Sequence, residues 1–236
     1  MNELVTFFKN KKVSSVLDVG CGSGDFLKIL TNVFPPKTQF TAIDPFEGPL
    51  LEARTKFPFV KFLKMEGEKM DFPDHHFDVV SISFALHHLD DVTTTLSEMK
   101  RVVKPEGWLI INEVTSDVQN QAQENHKQLH HLKSFADRLN GTTHRETYSI
   151  NEVLEIVKNN QITIEHSFLN LKMGQPGFDP DFLKDKVDQM EDYLHKLKGH
   201  AQFEATKQQF AGYANKLKEH GFQIAPSIVV IGKSEI

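Results

Sequence analysis

The chain has 236 residues, 39% hydrophobic and 25% charged, a balance that excludes intrinsic disorder and suits one α/β domain near the upper end of the usual size range. Lys plus Arg total 27 against 32 Asp plus Glu, a formal net charge of -5, which argues against a surface built to neutralise phosphate backbones. A single cysteine, Cys21, excludes an internal disulfide framework and a cysteine-rich zinc module.

No stretch approaches the roughly 18 uninterrupted apolar residues of a membrane helix. The run Val5–Phe8 ahead of Lys9, Lys11 and Lys12 is too short for a signal peptide, so the expected compartment is the cytoplasm. The 19 Phe against 3 Tyr and 1 Trp predict a large apolar core and an apolar pocket, because Phe brings area without a polar handle.

Short apolar runs alternate with helical patterns through the first half, as in βαβ units. Val13–Val19 reads as a buried strand that runs into Gly20-Cys21-Gly22-Ser23-Gly24. From Asp25 to Phe34, Phe26, Ile29, Leu30 and Val33 fall at helical spacing, and Pro35-Pro36 ends that helix. Gln39–Ile43 is a second strand, ending at Asp44, and a helix is expected over Pro49–Lys56. Val60–Met65 and Phe77–Ala85 read as strands, Val92–Val103 as a helix and Gly107–Val114 as a fifth strand.

The second half is more helical. Asp117–Leu139 carries one apolar stripe, and Ser149 with Glu152 forms a capping box ahead of Val153, Leu154, Ile156 and Val157. Ile162–Leu171 alternates as a strand does, and Ile224–Lys233 closes the chain as another. Between them lie two helical runs separated by Gly199. The first places Leu183, Val187, Met190, Leu194 and Leu197 on one stripe, and the second has Phe203, Phe210, Tyr213 and Leu217. No internal repeat is visible, and 1–236 reads as one domain with helical insertions.

The sharpest local signal is the strand that enters GxGxG and continues into a helix. That pattern brings main chain close to a ligand, and only Gly permits the approach. A dinucleotide fingerprint would require Gly at position 25, where Asp25 stands, and a carboxylate in the first helical turn would compete with a pyrophosphate. Asp44, at the tip of the next strand, is where an acid that accepts both hydroxyls of a ribose belongs.

VLDVGCGSG with Asp44 resembles the cofactor motifs of class I S-adenosylmethionine-dependent methyltransferases. Lys64–Val80, Ser83–Asp90 (SFALHHLD) and Val102–Gly107 (VVKPEG) match further motifs of that family in order. Within the superfamily the chain is most similar to the type 11 group, which includes ubiquinone and menaquinone biosynthesis methyltransferases. The resemblance covers about 13–114 and implies a Rossmann-like seven-stranded sheet, mostly parallel with the last strand antiparallel, plus helical lid insertions. It also implies S-adenosyl-L-methionine as the cofactor. Gly20, Cys21, Gly22 and Gly24 would pass under its methionine part, with Asp18 steadying the loop. Asp44, with Pro45 beside it, would take the ribose, while Glu66 and Gly67 would meet the adenine and Phe84 the sulfur end. Asp71 stands where the family usually has Pro, and Glu66-Gly67 where Asp-Ala is typical.

Methyl transfer from a sulfonium is an in-line displacement that mainly requires alignment and exclusion of water. A base is needed only when the acceptor must lose a proton. His87, His88 and Glu113 are the candidates for it. His126 and His130 share a helical face without a visible third ligand, so no metal is expected. His144-Arg145 suits either a pocket mouth or a solvated loop, and His75-His76 an exposed turn. The segment 115–148 is expected as a lid. The hairpin 179–220 would cap the sheet domain or meet a second subunit. Phe135, Phe178, Phe182, Phe203 and Phe210 would line or back an acceptor pocket, which suggests an apolar or aromatic small molecule. Nucleic acid is not expected, since SFALH replaces the N-P-P-[YF] tetrapeptide of base-amine methylation and no Pro-Cys nucleophile is present. A monomer or homodimer is expected. The alternative function is a protein that binds the cofactor without transferring its methyl, as a sensor or regulator; it would fill the acceptor cavity that an enzyme keeps open.

Overall fold

The computed structural model describes residues 2–171 and 175–235. Its elements in chain order are α1 (Asn2–Phe8), β1 (Ser15–Val19), α2 (Asp25–Val33), β2 (Gln39–Asp44), α3 (Glu47–Lys56), β3 (Lys61–Lys64), β4 (Phe77–Ser83), α4 (Val92–Val102), β5 (Val103–Val114), α5 (Gln121–Leu139), α6 (Ile150–Asn159), β6 (Ile162–Asn170), α7 (Pro180–Lys196), α8 (Phe203–Gln209), α9 (Tyr213–His220) and β7 (Ser227–Ser234). A single 3₁₀ turn, Leu86–His88, follows β4. The chain divides into two compact units. The first comprises the residues up to Glu113, Glu152–Leu169 and Ile228 onward; the second comprises Val114–Asn151 and Asn170–Ser227.

The first unit holds a seven-stranded sheet in the order β3-β2-β1-β4-β5-β7-β6. Strands β1 to β5 pair in parallel, and β7 runs antiparallel to both β5 and β6, as the sequence led us to expect. Parallel strands are covered on both faces, which is why Val16, Leu17, Val79, Val80, Leu109 and Ile110 are apolar without alternation and almost wholly buried. Chain order reverses between β1 and β4, and a doubly wound sheet opens a crevice at the carboxyl ends of its strands at such a point.

Helix α1 was not legible as an element. Its Leu4 and Phe8 lie one turn apart and are buried in the core that includes Phe26, Leu30 and Phe34. Phe7 adds an edge-on contact with Trp108 at 5.0 Å. Strand β5 starts earlier than expected, at Val103 rather than Gly107. Phe77 pairs with Val103 and Val79 with Trp108, so the excess residues around Pro105 leave the ladder as a bulge.

In the second unit α5 begins later than expected, at Gln121, because Asn120 is its N-cap and accepts from the Gln123 N–H at 2.9 Å. Asp117, expected inside that helix, instead accepts the Ile150 N–H at 2.7 Å at the start of α6. The apolar stripe of α7 is buried against α5: Leu183, Met190 and Leu197 share a cluster with Leu129, Leu132 and Ala136. The run expected as one helix after Gly199 is broken into α8 and α9 by Gly212, whose φ of 89° is left-handed. Tyr213 and Leu217 of α9 complete the cluster, and the Tyr213 hydroxyl donates to the Asn125 carbonyl at 2.8 Å. Among the described residues, no helix is long and apolar enough to cross a membrane.

Candidate cofactor and active site

The carboxyl ends of β1, β2, β3 and β4 bring most of the expected cofactor residues together. The loop leaving β1 is held by main-chain bonds: the Cys21 N–H donates to the Ile43 carbonyl at 3.0 Å, and the Gly24 N–H donates to the Cys21 carbonyl at 2.9 Å. Asp44 ties this loop to the end of β2. One of its carboxylate oxygens accepts the Gly22 N–H and the other accepts the Phe46 N–H, each at 2.9 Å. Gly22 has φ 51°, and a Cβ there would meet no protein atom within 4 Å, so this face of the loop is open.

Gly24 is constrained differently. Its φ is 91°, and a Cβ would stand 2.7 Å from the Phe57 ring. Gly24→Ala is expected to cost about 1–3 kcal/mol from the left-handed backbone alone, with the Phe57 clash added. Chemical denaturation reads that loss directly, and unchanged stability would mean that the loop adopts another conformation.

Asp18 lies beneath the loop, 1% exposed. Its Oδ1 accepts the Ser81 hydroxyl at 2.7 Å, and its Oδ2 has no hydrogen-bond partner among the described residues. Burial pushes its carboxyl up to about 7; the Ser81 bond opposes that rise and the charge of Asp44 adds to it. Cys21 is buried, and burial together with Asp18 and Asp44 pushes its thiol well above the ordinary range. It is a small filler within the loop and far from a reactive thiolate.

Pro45, next to Asp44, is half-buried, Glu66 is exposed and Gly67 is buried. The Met65 N–H donates to the Asp44 carbonyl at 3.2 Å. A Cβ on Gly67 would stand 3.1 Å from Val19 and 3.0 Å from Thr95, so this segment packs closely beside β1. The loop that follows is clamped from α4 by two residues that sequence reading missed. Arg101 donates to the Met70 and Phe72 carbonyls at 2.8 and 2.7 Å, and Glu98 accepts the Met70 N–H at 2.8 Å. Hydrogen bonding to Arg101 holds the Glu98 carboxyl below its ordinary range. The available signal was the Glu-x-x-Arg spacing on one helix face.

Phe84, just past β4, has φ 54° and donates its N–H to the Asn112 carbonyl at 2.8 Å. A non-glycine residue in that region costs of order 1–3 kcal/mol and persists where its surroundings impose it. Gly20 reaches the same turn, since a Cβ there would stand 3.0 Å from that of Ala85.

Two of the candidate catalytic residues form a buried pair. His87 Nδ1 lies 2.7 Å from Glu113 Oε1, and Glu113 Oε2 accepts the Leu86 N–H at 2.9 Å. Both side chains are almost fully buried. With Glu113 accepting at Nδ1, the neutral imidazole presents its acceptor nitrogen at Nε2. His88 is exposed, and its ring centroid lies 4.3 Å from that of His87 with the planes tilted at 44°.

His75 and His76 are exposed, as expected. His144 is not solvated; it is buried and bonded to Asp137 at 2.7 Å. Phe178 and Phe182 are exposed. Phe135 and Phe210 line a cleft of about 580 Å³ within the second unit.

A sheet of this strand order, with a glycine loop after β1 and an acid closing β2, defines the class I methyltransferase fold. Residues 17–111 match the family model described as a methyltransferase domain. It is 34% identical over 108 residues to a demethylmenaquinone methyltransferase of Staphylococcus aureus (strain JH9), a match covering 44% of this chain and 45% of that one. The chain thus aligns with less than half the length of the curated relatives it matches. Among solved structures it is similar to a SAM dependent methyltransferase from Aquifex aeolicus, with 26% identity, a TM-score of 0.54 and coverage of 70% of this chain and 81% of that one. A protein of Bacillus halodurans C-125, provisionally named a methyltransferase, shares the fold over 100% of this chain and 98% of its own, with 20% identity and a TM-score of 0.66.

Proposed function

We propose that this protein transfers the methyl group of S-adenosyl-L-methionine to a small-molecule acceptor. The observation that carries the reading is the pair of acids under the glycine loop, one tethering the loop at Gly22 and the other holding a buried carboxylate oxygen without a donor. That arrangement suits a cationic ligand with a diol. The fit is chemical: Asp18 offers charge, Asp44 offers acceptor lone pairs to ribose hydroxyls, and the open face of Gly22 allows close approach. Glu66 and Gly67 would receive the adenine, and Phe84 would lie at the sulfur end.

When bound, this cofactor supplies an electrophilic methyl on a sulfonium. The residues of the chain hold it in line with the acceptor and exclude water. Where the acceptor is an oxygen or carbon acid, His87 is the base, with Glu113 fixing its tautomer. The demethylmenaquinone methyltransferase relative supports an aromatic, quinone-like acceptor class.

Isothermal calorimetry is expected to show S-adenosylmethionine and S-adenosylhomocysteine binding and NAD failing to bind. Asp44→Ala should weaken that binding by about 1–3 kcal/mol, or roughly 5- to 150-fold. Binding of NAD instead, or an unchanged Asp44→Ala affinity, would remove the assignment. Release of S-adenosylhomocysteine across a panel of quinols, phenols and amines then identifies the acceptor.

A further inference from the structure

Helix α5 and the segment that follows it bring two imidazoles together. His144 Nε2 lies 3.4 Å from His130 Nε2, with the rings nearly perpendicular at 85°. His144 is buried, and its other nitrogen, Nδ1, is 2.7 Å from Asp137 Oδ2. Arg138 fixes the same segment by donating to the His144 carbonyl at 2.8 Å.

We propose that His130 and His144 are protein ligands of a site for a borderline divalent cation such as Zn2+, Ni2+ or Co2+. Three features support it. The nitrogen separation of 3.4 Å is at the long end for a hydrogen bond. It equals the bite of two imidazoles on a tetrahedral ion, because bonds of about 2.0–2.1 Å at the tetrahedral angle put the nitrogens about 3.3–3.4 Å apart. Asp137 accepts a hydrogen bond from the His144 Nδ1–H, which leaves Nε2 as the ligating nitrogen. That carboxylate–histidine pairing is the usual way a protein orients a metal-bound imidazole. The i, i+4 pair on α5, His126 and His130, is not the chelate: the Ala225 N–H donates to His126 Nδ1 at 3.3 Å. The partner of His130 comes from beyond the helix, fourteen positions along the chain. Imidazole ligands favour these ions over Mg2+ or Ca2+, and water completes the coordination. A bound ion would tie the segment after α5 to that helix.

Calorimetric titration of the full chain with Zn2+ is expected to show one saturable site per molecule. His130→Ala and His144→Ala should each abolish it, Asp137→Asn should weaken it about 10- to 100-fold, and His75→Ala, at an exposed turn, should leave it unchanged. The ion should also raise the thermal midpoint of the wild type and not of the two histidine variants. Should a variant fail to fold, nitrogen-15 spectra of the wild type remain decisive, because the Nε2 signals of both histidines must move on Zn2+ addition. Absence of a saturable site, a site that survives in both histidine variants, or unmoved Nε2 signals would overturn the proposal.

Discussion

Replacing Glu113 with alanine is expected to destabilise the protein by about 2–6 kcal/mol, because two buried groups lose their acceptor at about 1–3 kcal/mol each. The loss strikes two groups at once. His87 Nδ1 and the Leu86 N–H both use this carboxylate, and neither can reach water from a buried position. For a chain of this size the thermal midpoint should fall by on the order of 10 °C. Glu113→Gln separates folding from chemistry. Its amide oxygen can still accept the Leu86 N–H, and its NH2 can donate to His87 Nδ1, so the stability cost should be only about 1 kcal/mol. That rearrangement reverses the imidazole tautomer and leaves a proton on Nε2. If His87 acts as base on the acceptor, Glu113→Gln should fold normally, bind cofactor normally and lose about 10²–10⁴ in kcat. Full activity in the folded Gln variant would reduce the pair to a structural role.

Asp18→Asn is expected to stabilise the protein at pH 8 by up to about 4 kcal/mol and to have almost no effect near pH 4. The sign follows from burial. The carboxyl is pushed up from 3.8 to about 7, so between these values the unfolded chain has released a proton that the folded chain retains. Stability is therefore fully present below pH 3.8, falls as pH rises, and has lost its whole increment once pH passes about 7. At roughly 1.4 kcal/mol per pH unit the interval amounts to about 4 kcal/mol. Asparagine matches the protonated acid in shape and keeps an acceptor for Ser81, so it removes the titration while retaining the 2.7 Å contact. Urea denaturation at pH 4, 6 and 8 provides the measurement. Parallel pH profiles for variant and wild type would show that Asp18 does not carry the slope. The same substitution removes the negative charge proposed to serve a cationic cofactor, so affinity should fall while stability rises.

The first half of the fold was almost wholly legible. Strand spans from Ser15 to Val114 were expected within a few residues, since buried parallel strands read as short apolar runs between Gly, Pro and helical patterns. The glycine loop and Asp44 were legible for the same local reason: the strand–loop–helix order is contiguous, and the acid falls at the tip of the next strand. Helix α1 was missed because its seven residues offer a single buried i, i+4 pair, Leu4 and Phe8, too little for a periodicity to show. The bulge in β5 was missed because the sequence starts that strand at Gly107, whereas the pairing of Phe77 with Val103 carries it back beyond Pro105. Gly212 breaks the last helical run although the apolar spacing carries straight through it.

The chemistry of the interior depended on contacts between distant residues. Ser81 lies 63 positions from the Asp18 it serves, and Glu113 lies 26 from His87. Both acids were noticed in the sequence, Asp18 as a loop brace and Glu113 as a candidate base, but their partners were not. The stripe on α7 announced a buried face without naming α5 as its cover, because amphipathicity specifies that a surface must be hidden and says nothing about what hides it. His144 reads from the sequence equally as a pocket mouth or a solvated loop, and the turn of the chain after α5 buries it beside Asp137 and His130. The sequence by itself therefore determined the alternation of strands and helices, the glycine loop and its strand-end acid, since those depend on neighbours within a few residues. Only the tertiary structure decided which acid meets which histidine and which of the twelve histidines come together, because those pairings arise when strands and helices far apart in the chain are packed side by side.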